Sequence, residues 1–323
     1  MYPNNLAVSI QSVSRHAREL EQAACAHDKP AMAAARSGFT TALTKLLDVD
    51  MALHQQNNEC QAYLEALNQK SVRALEQLQR DIEAGYRIQA QLLPEDNSNF
   101  GNYVFRRRLF PAMYLSGDFV DYFSIDDRHV GFYIADVSGH DAASAFVTVM
   151  LKTLVAQYRE AFSRDRHPAV LHPEQMLQHL NADFCQHDLG KHVTLFYGVL
   201  DRKDNKLTYS AGGQFPYPML YDGTESQSLV CPGRPVGLFE DAVFKQNRIA
   251  LPPQFVLVLV SDGILELLPQ DSLQARYETM LRQCVDNRNA IDELTVGLDI
   301  LADKHLPDDI TFLVVVGGNH APE

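Results

Sequence analysis

Four segments of this chain set an aspartate at one end of an apolar run, beside a glycine in two of them and beside a second aspartate in another. They are Leu115-Ser116-Gly117-Asp118-Phe119-Val120-Asp121-Tyr122, Gly131-Phe132-Tyr133-Ile134-Ala135-Asp136-Val137-Ser138-Gly139-His140, Phe255-Val256-Leu257-Val258-Leu259-Val260-Ser261-Asp262-Gly263 and Leu306-Pro307-Asp308-Asp309-Ile310-Thr311-Phe312-Leu313-Val314-Val315-Val316. A run such as 255–260 is apolar on both faces, so it reads as a central, buried strand. An aspartate at its end lies at the edge of the core, where a lone carboxylate is costly to desolvate. Several converging there repel one another. Divalent cations remove the conflict, and carboxylates, main-chain carbonyls and water suit Mg2+ or Mn2+. Two such ions about 3.5–4 Å apart hold a water and activate it for in-line attack on phosphorus. Glycine beside Asp118 and beside Asp262 lets backbone, water or substrate come close.

Taken singly, each of these segments reads as a strand followed by an ordinary Asp-Gly turn. The recurrence points to chemistry. Ser138 is not surrounded by G-x-S-x-G and is not read as a nucleophile. His140-Asp141 has the form of half a metal-binding HD pair, but no other histidine stands at a partner spacing. Arg106-Arg107-Arg108 alternate along a strand-like run and are expected to be solvated.

These residues need elements to position them. Residues 1–94 hold 2 of the 17 glycines and 3 of the 15 prolines and are rich in Ala, Gln, Leu and Glu, a helical composition. Three helices are expected, about 5–27, 30–57 and 60–92, with Asp28 capping the second, Pro30 in its first turn and Pro94 ending the third. Leu75, Leu78, Ile82, Gly85, Gln89 and Leu92 follow 3-4 spacing. Leu64 shares the register, Asn68 and Ser71 break it, and the result is a weak coiled-coil or bundle seam. From residue 100 the rhythm changes to short β-like runs at 103–109, 119–125, 129–136, 192–200, 206–211, 217–221, 244–250, 255–260 and 310–316. Helical patterns stand apart from them at about 141–163, 173–187, 271–286 and 289–304. Strands in runs with helices in separate blocks give an α+β class with stacked antiparallel sheets and helices outside.

Composition narrows the function classes. The 323 residues allow one large domain or two smaller ones. With 46% hydrophobic and 21% charged residues, disorder over most of the length is excluded. The net charge is −13, of which residues 1–94 carry −1 and residues 95–323 carry −12. Such a chain is repelled by nucleic acid and anionic lipid, so no nucleic-acid partner is expected. No run approaches the roughly 18 apolar residues of a membrane span, and Met1-Tyr2-Pro3-Asn4-Asn5 does not open a secretory signal. The five cysteines (25, 60, 185, 231 and 284) form no CxxC, so neither a disulfide framework nor a thiolate zinc site is indicated. A cytoplasmic location is expected.

Together the segments resemble the SpoIIE/RsbU-type branch of the PPM metal-dependent protein phosphatases, the protein phosphatase 2C-like group. The resemblance covers roughly residues 85–317. It begins with Ile88-Gln89-x-x-Leu92-Leu93-Pro94, Pro111-Ala112, Ser116-Gly117-Asp118-Phe119-x-Asp121-Tyr122 and Asp136-Val137-Ser138-Gly139-His140. It continues through Thr194-Leu195-Phe196-Tyr197-Gly198-Val199-Leu200-Asp201, Leu207-Thr208-Tyr209-Ser210-Ala211-Gly212-Gly213, Pro235-Val236-Gly237-Leu238, Ser261-Asp262-Gly263-Ile264-x-Glu266 and Asp308-Asp309-Ile310-Thr311.

The resemblance implies an α-β-β-α sandwich of two antiparallel sheets with flanking helices, here preceded by an all-helical N-terminal domain. Residues 1–84 carry no such resemblance; their helical composition reads as a helical regulatory domain at 1–59 and a linker or switch helix at 60–94, ahead of a phosphatase domain at 95–318. The resemblance implies hydrolysis of phosphoserine or phosphothreonine with two Mn2+ or Mg2+ ions. The implied substrate is a phosphorylated protein, a STAS-domain anti-sigma factor antagonist in a partner-switching pathway. Asp136 would bridge both metals, with Asp118 as its catalytic companion, and the Val137 carbonyl would ligate one. Asp118, Asp262 and Asp308 would complete the shells, with Asp309 as a further, lower-ranked neighbour. The 3-4 apolar spacing of the helix expected over 60–92 makes a homodimer through the N-terminal helices a further expectation.

Two departures stand out. Ser116-Gly117-Asp118 replaces the usual Gly-Gly-Asp, so a hydroxymethyl could crowd the loop. Ala211-Gly212-Gly213-Gln214-Phe215-Pro216 replaces Ala-Gly-His-Asn-Pro, so the histidine is lost. Two other readings stay open: a pseudophosphatase that only sequesters a STAS or anti-sigma partner, and a two-metal phosphohydrolase acting on a small molecule.

Overall fold

The computed structural model describes residues 2–26, 28–139, 141–187, 189–269, 272–286, 295 and 306–318. The chain divides into two compact units, Met1–Arg80 and Asp81–Glu323.

In the first unit, α1 (Tyr2–Cys25) is followed by α2 (Lys29–Leu92), which continues past the division. Small residues let the helices approach: Ala23 and Ala42 are buried, and a side chain at Gly38 would collide with the His16 ring. Asp28 caps α2, its Oδ1 accepting from Ala31 N at 3.1 Å. The two helices expected over 30–57 and 60–92 are one helix of 64 residues. Asn57-Asn58 lowers helix propensity by only a few tenths of a kcal/mol per residue, and Gln55 Nε2 donates to Glu59 Oε1 across it at 3.0 Å. Every residue from 51 to 80 is exposed, including Leu64 (58%), Leu75 (65%) and Leu78 (55%).

The second unit contains two antiparallel sheets. Its elements are β1 (Asn97–Phe100), β2 (Tyr103–Phe110), β3 (Asp118–Ser124), β4 (His129–Val137), α3 (Ala142–Asp165), α4 (Pro173–His187), β5 (Val193–Asp201), β6 (Lys206–Gly212), β7 (Met219–Tyr221), β8 (Ser226–Ser228), β9 (Asn247–Ala250), β10 (Phe255–Val260), α5 (Gly263–Leu267), α6 (Leu273–Asp286) and β11 (Ile310–Gly317), with a 3-10 turn at Pro168–Leu171. One sheet has the order β1-β2-β11-β10-β7-β8 and the other β3-β4-β5-β6-β9. Alternation explains the layering. Phe132, Ile134 and Phe196 point into a core shared with Phe105, Leu257, Leu259 and Leu313 of the facing sheet. Tyr133, Ala135 and Tyr197 point outward and pack on Leu151 and Val155 of α3 and Leu177 and Phe184 of α4. Val256, Val258, Phe312 and Val314 cover the opposite side with Ile264 of α5 and Met280 of α6. This is the expected α-β-β-α sandwich.

The two-residue-period runs were legible and the shortest pieces were not: β1, β8, the 3-10 turn and α5 are too short to show a period. The helix expected over 289–304 lies, except for residue 295, outside the described residues. Among the described residues, no helix is long and apolar enough to cross a membrane.

Gly198 stands opposite Phe132 on neighbouring strands, and a Cβ there would lie 2.5 Å from the Phe132 ring. Phe132 is fully buried, so the ring cannot swing into solvent. Gly198→Ala is expected to destabilise the fold by about 1–3 kcal/mol through overpacking, measured by urea unfolding. A change below about 0.5 kcal/mol, the size of an ordinary surface substitution, would show that the ring yields.

Candidate metal centre

The antiparallel register sets Asp118, at the start of β3, directly opposite Asp136, near the end of β4. The facing sheet brings its own acids to the same edge. Ser261 and Asp262 follow β10, Asp308 and Asp309 precede β11, and β10 and β11 pair antiparallel with Val260 opposite Phe312. Ser261 fastens that end: its N donates to Thr311 O at 3.0 Å, and its Oγ accepts from Thr311 N at 2.8 Å. Asp262 precedes α5 without capping it through its side chain, so its carboxylate is left for other contacts.

Two adjacent aspartates perform different tasks. Asp309 is 4% exposed. Its Oδ1 accepts from Ala112 N and its Oδ2 from Gly117 N, both at 2.7 Å. It thereby clamps the loop before β3 onto the start of β11. Asp308 faces Asp136 and Asp262 electrostatically.

Burial and mutual repulsion govern the charges. Burial, then the Asp136 charge, hold the Asp118 carboxyl well above the usual carboxylate range, and the Ser261 and Thr311 hydroxyls partly counter them. Asp118 is 1% exposed, and its Oδ2 is buried without a hydrogen-bond partner. Burial, then Asp262, Asp308 and Asp309, push Asp136 up to about 7. Asp262 is raised by burial and then by Asp308, although it keeps solvent access at the rim. Among the described residues no three acidic, histidine or cysteine side chains close into a ready-made cluster. A coordination shell here therefore needs water and main-chain oxygen as well, which is how Mg2+ and Mn2+ are commonly held. The donor set is all oxygen, and the orphaned Asp118 Oδ2 is an atom that a cation would satisfy. The residues fit a hard divalent ion.

Main-chain oxygens face the same place. A side chain at Gly117 would meet Val137 O at 2.8 Å and Gly139 O at 2.7 Å. A side chain at Gly263 would collide with the Asp309 carbonyl. Close backbone approach is thus why both aspartates have a glycine neighbour.

Ser116 does not crowd its loop. It is 2% exposed, and its Oγ accepts from Asp118 N at 3.1 Å. Gln89, in the last turn of α2, completes it: Oε1 accepts from Ser116 N at 3.1 Å, and Nε2 donates to Ser116 O at 2.7 Å and to Thr148 Oγ1 at 3.0 Å. Gln89 is 6% exposed, so the residue expected on a helical seam is instead packed beneath the Asp118 loop. Gly213, in place of the family's histidine, has φ +76°, and a Cβ there would lie 2.9 Å from the Pro235 side chain. Its neighbour Gln214 donates to Val260 O at 3.0 Å.

The arginine run is also corrected. Arg107 is not solvated: its guanidinium donates to Pro94 O at 2.8 Å and pairs with Asp96 at 2.9 Å. Ser138 Oγ accepts from His192 N at 3.2 Å. His140 lies outside the described residues. Sequence reasoning did not single out Ser144 or Lys191, which hold the turn after β4. Their signal is tertiary, since neither stands at a motif spacing.

The raised acids make stability fall as pH rises. An aspartate whose folded pKa exceeds its unfolded value stabilises the fold below the unfolded pKa, and that contribution is lost as pH climbs through the folded pKa. In excess chelator, the protein should therefore be less stable at pH 8 than at pH 6, on both sides of the Asp136 value of about 7. Asp136→Asn should be more stable than the parent at pH 8, by on the order of 1 kcal/mol, because it removes one repelling charge. Its stability should also vary less between the two pH values. Thermal unfolding measures both, and a parallel pH dependence in parent and variant would contradict the assignment of the charge to Asp136.

With this geometry in place, comparison with known proteins is informative. Phosphoserine phosphatase RsbP of Bacillus subtilis is 28% identical over 153 residues, 47% of this chain and 37% of its own length. Protein IcfG of Synechocystis sp. is 23% identical over 267 residues, 73% of this chain and 41% of its own. This chain thus spans well under half of either relative. The SiaA PP2C domain of Pseudomonas aeruginosa superposes with a TM-score of 0.61 at 19% identity, covering 75% of this chain and 97% of that domain. The Bacillus subtilis SpoIIE structure comprising the PP2C phosphatase domain and a regulatory fragment gives 0.55 at 17% identity, covering 67% of this chain and 63% of that one. These likenesses establish the PP2C-type fold. Residues 126–316, more than half of the chain, match the family model described as Stage II sporulation protein E (SpoIIE), and the chain belongs to that family.

Proposed function

We propose that this chain is a Mn2+- or Mg2+-dependent protein serine/threonine phosphatase. The observation that carries the reading is the convergence of Asp118, Asp136, Asp262 and Asp308 on one sheet edge, with Asp118 Oδ2 buried and unpaired. Membership of the SpoIIE family and the phosphoserine phosphatase named among the relatives support it. RsbX, which shares the fold at a TM-score of 0.51, was solved in complex with magnesium.

Asp118, Asp136, Asp262, Asp308 and the Val137 carbonyl would hold the ions, with Asp309 behind them anchoring the loop. When bound, two such ions lower the pKa of a water and offset charge on the phosphoryl oxygens. The chain's own groups prepare that chemistry. Without cations, burial and the neighbouring carboxylates hold Asp136 at about 7, so ion binding near neutral pH would displace a proton from it. Gly117 and Gly263 leave the space in which backbone and carboxylates meet. The four carboxylates, with water and main-chain oxygen, would hold cations without a lysine or arginine clamp of the P-loop type.

The substrate in this reading is a phosphorylated STAS-domain anti-sigma factor antagonist in the cytoplasm. Residues 1–59 are a regulatory region, 60–94, which includes the C-terminal part of α2, a switch segment, and 95–318 the phosphatase domain. The exposed Leu64, Leu75 and Leu78 on α2 form a seam for a homodimer.

Turnover of a generic phosphate ester should require added Mn2+ or Mg2+, vanish in excess chelator, and fall to near background in Asp136→Asn at saturating Mn2+. Release of phosphate from a phosphorylated STAS protein should exceed that from an unrelated phosphopeptide. Full activity in chelator would refute the metal assignment. Metal binding with no turnover on any ester would favour the sequestering pseudophosphatase, and turnover confined to small esters a small-molecule phosphohydrolase.

Replacing Leu75 and Leu78 together by Asp should halve the sedimenting mass and change kcat without touching a metal ligand. If mass and rate both stay at their parental values, α2 is a packed spacer.

A further inference from the structure

The turn after β4 carries three successive carbonyls: Ser138 O is held by two hydrogen bonds, and Val137 O and Gly139 O lie close to Gly117. Ser138 N donates to His192 O at 2.9 Å. In a trans peptide the carbonyl of the same unit points the opposite way, and Val137 O faces Gly117. Gly139 O faces Gly117 as well. Between them, Ser138 O points elsewhere: it accepts from Lys191 Nζ at 2.9 Å and from Ser144 Oγ at 3.1 Å. Lys191 Nζ also lies 3.1 Å from Asp141 Oδ2. Asp141 in turn caps α3, its Oδ1 accepting from Ser144 N at 2.9 Å. The Lys191 side chain is only 17% exposed, and Gly139, at φ +86°, lets the ammonium come close: a Cβ there would stand 3.1 Å from Nζ.

We propose that Lys191 is a positioning residue for the metal centre. Its ammonium, together with the Ser144 hydroxyl, holds the Ser138 carbonyl on the far side of the turn and so keeps the Val137 and Gly139 carbonyls aimed at the Asp118 side. Rotating the 138–139 peptide would break two hydrogen bonds, one of them charge-assisted and therefore among the stronger kind. This role rests on the metal reading above.

The proposal predicts a sign that simple electrostatics does not. Removing a positive charge from the neighbourhood of a cation site should tighten cation binding by Coulomb's law alone. Removing a positioning contact should weaken it, by about 10–100-fold for a group that orients a ligand from behind. The test is Mn2+ binding to the full metal-free chain, read from the electron paramagnetic resonance signal of free Mn2+, alongside thermal unfolding in chelator.

Lys191→Met is expected to bind Mn2+ about 10–100-fold more weakly than the parent. Lys191→Arg, which keeps charge and donors, should stay within about threefold, small against the loss expected when an orienting contact is removed. Binding by Lys191→Met that equals or exceeds the parent's would overturn the role of Lys191 while leaving the metal site standing. No Mn2+ binding by the parent would overturn both. Should Lys191→Met fail to fold, Ser144→Ala, which removes the other hold on the same carbonyl, decides: weaker Mn2+ binding supports the proposal and unchanged binding refutes it.

Discussion

Asp118 and Asp136 stand opposite each other on two hydrogen-bonded strands at the end of a buried sheet, and directly opposed side chains share one face. Two unit charges about 5 Å apart at an effective dielectric near 20 repel by roughly 3 kcal/mol, a sizeable fraction of the 5–15 kcal/mol that holds a typical domain together. The arrangement persists because the strands behind it are locked by packing. Phe119 and Tyr133 are buried against the helices, and Val120 and Ile134 against the facing sheet. The carboxylates cannot be relieved by local movement, so relief comes from proton uptake or from a cation. The raised carboxyls of Asp118 and Asp136 express the first route and the orphaned Asp118 oxygen leaves room for the second.

The Asp308-Asp309 pair shows how the edge is assembled from both sheets. Successive side chains at the start of a strand point to opposite faces. Asp309 therefore reaches Ala112 and Gly117 on the loop before β3, while Asp308 joins Asp136 and Asp262. The glycines follow from the same crowding: Gly117 lies under two carbonyls and Gly263 against a third. Backbone proximity, more than unusual backbone angles, fixes these two positions, since neither is among the glycines with positive φ.

Much of this was legible from residue types. The alternation in 129–136 and the two-faced apolar run 255–260 announced strands, and an aspartate at the end of each announced an acidic edge. What periodicity could not reveal was tertiary partnership. Asp309 looked like one more acid and proved to be a clamp. Arg107 looked like a surface residue and is held by Asp96 and Pro94. Ser116 looked like an intrusion, yet its hydroxyl accepts from Asp118 N and its main chain is paired. Lys191 stands 53 residues from the carbonyl it holds, a separation at which no local pattern carries information. The break expected near residue 58 failed for a different reason: a pair of asparagines is a weak stop, and nothing there removes a backbone donor as proline would.

Gln89 was misread in the most instructive way. A polar residue at a heptad position reads as a flaw in an apolar seam, but a glutamine amide matches a main-chain peptide, with one acceptor and donors to spare. Here it pairs with both main-chain groups of Ser116 and still reaches Thr148. Buried hydrogen bonds of this kind are expensive to leave unmade, about 1–3 kcal/mol for each stranded group. The loop two residues ahead of Asp118 therefore follows the last turn of α2 rather than moving independently. The position of one carboxylate at the sheet edge is thus tied, through a single amide side chain, to where the end of a 64-residue helix lies.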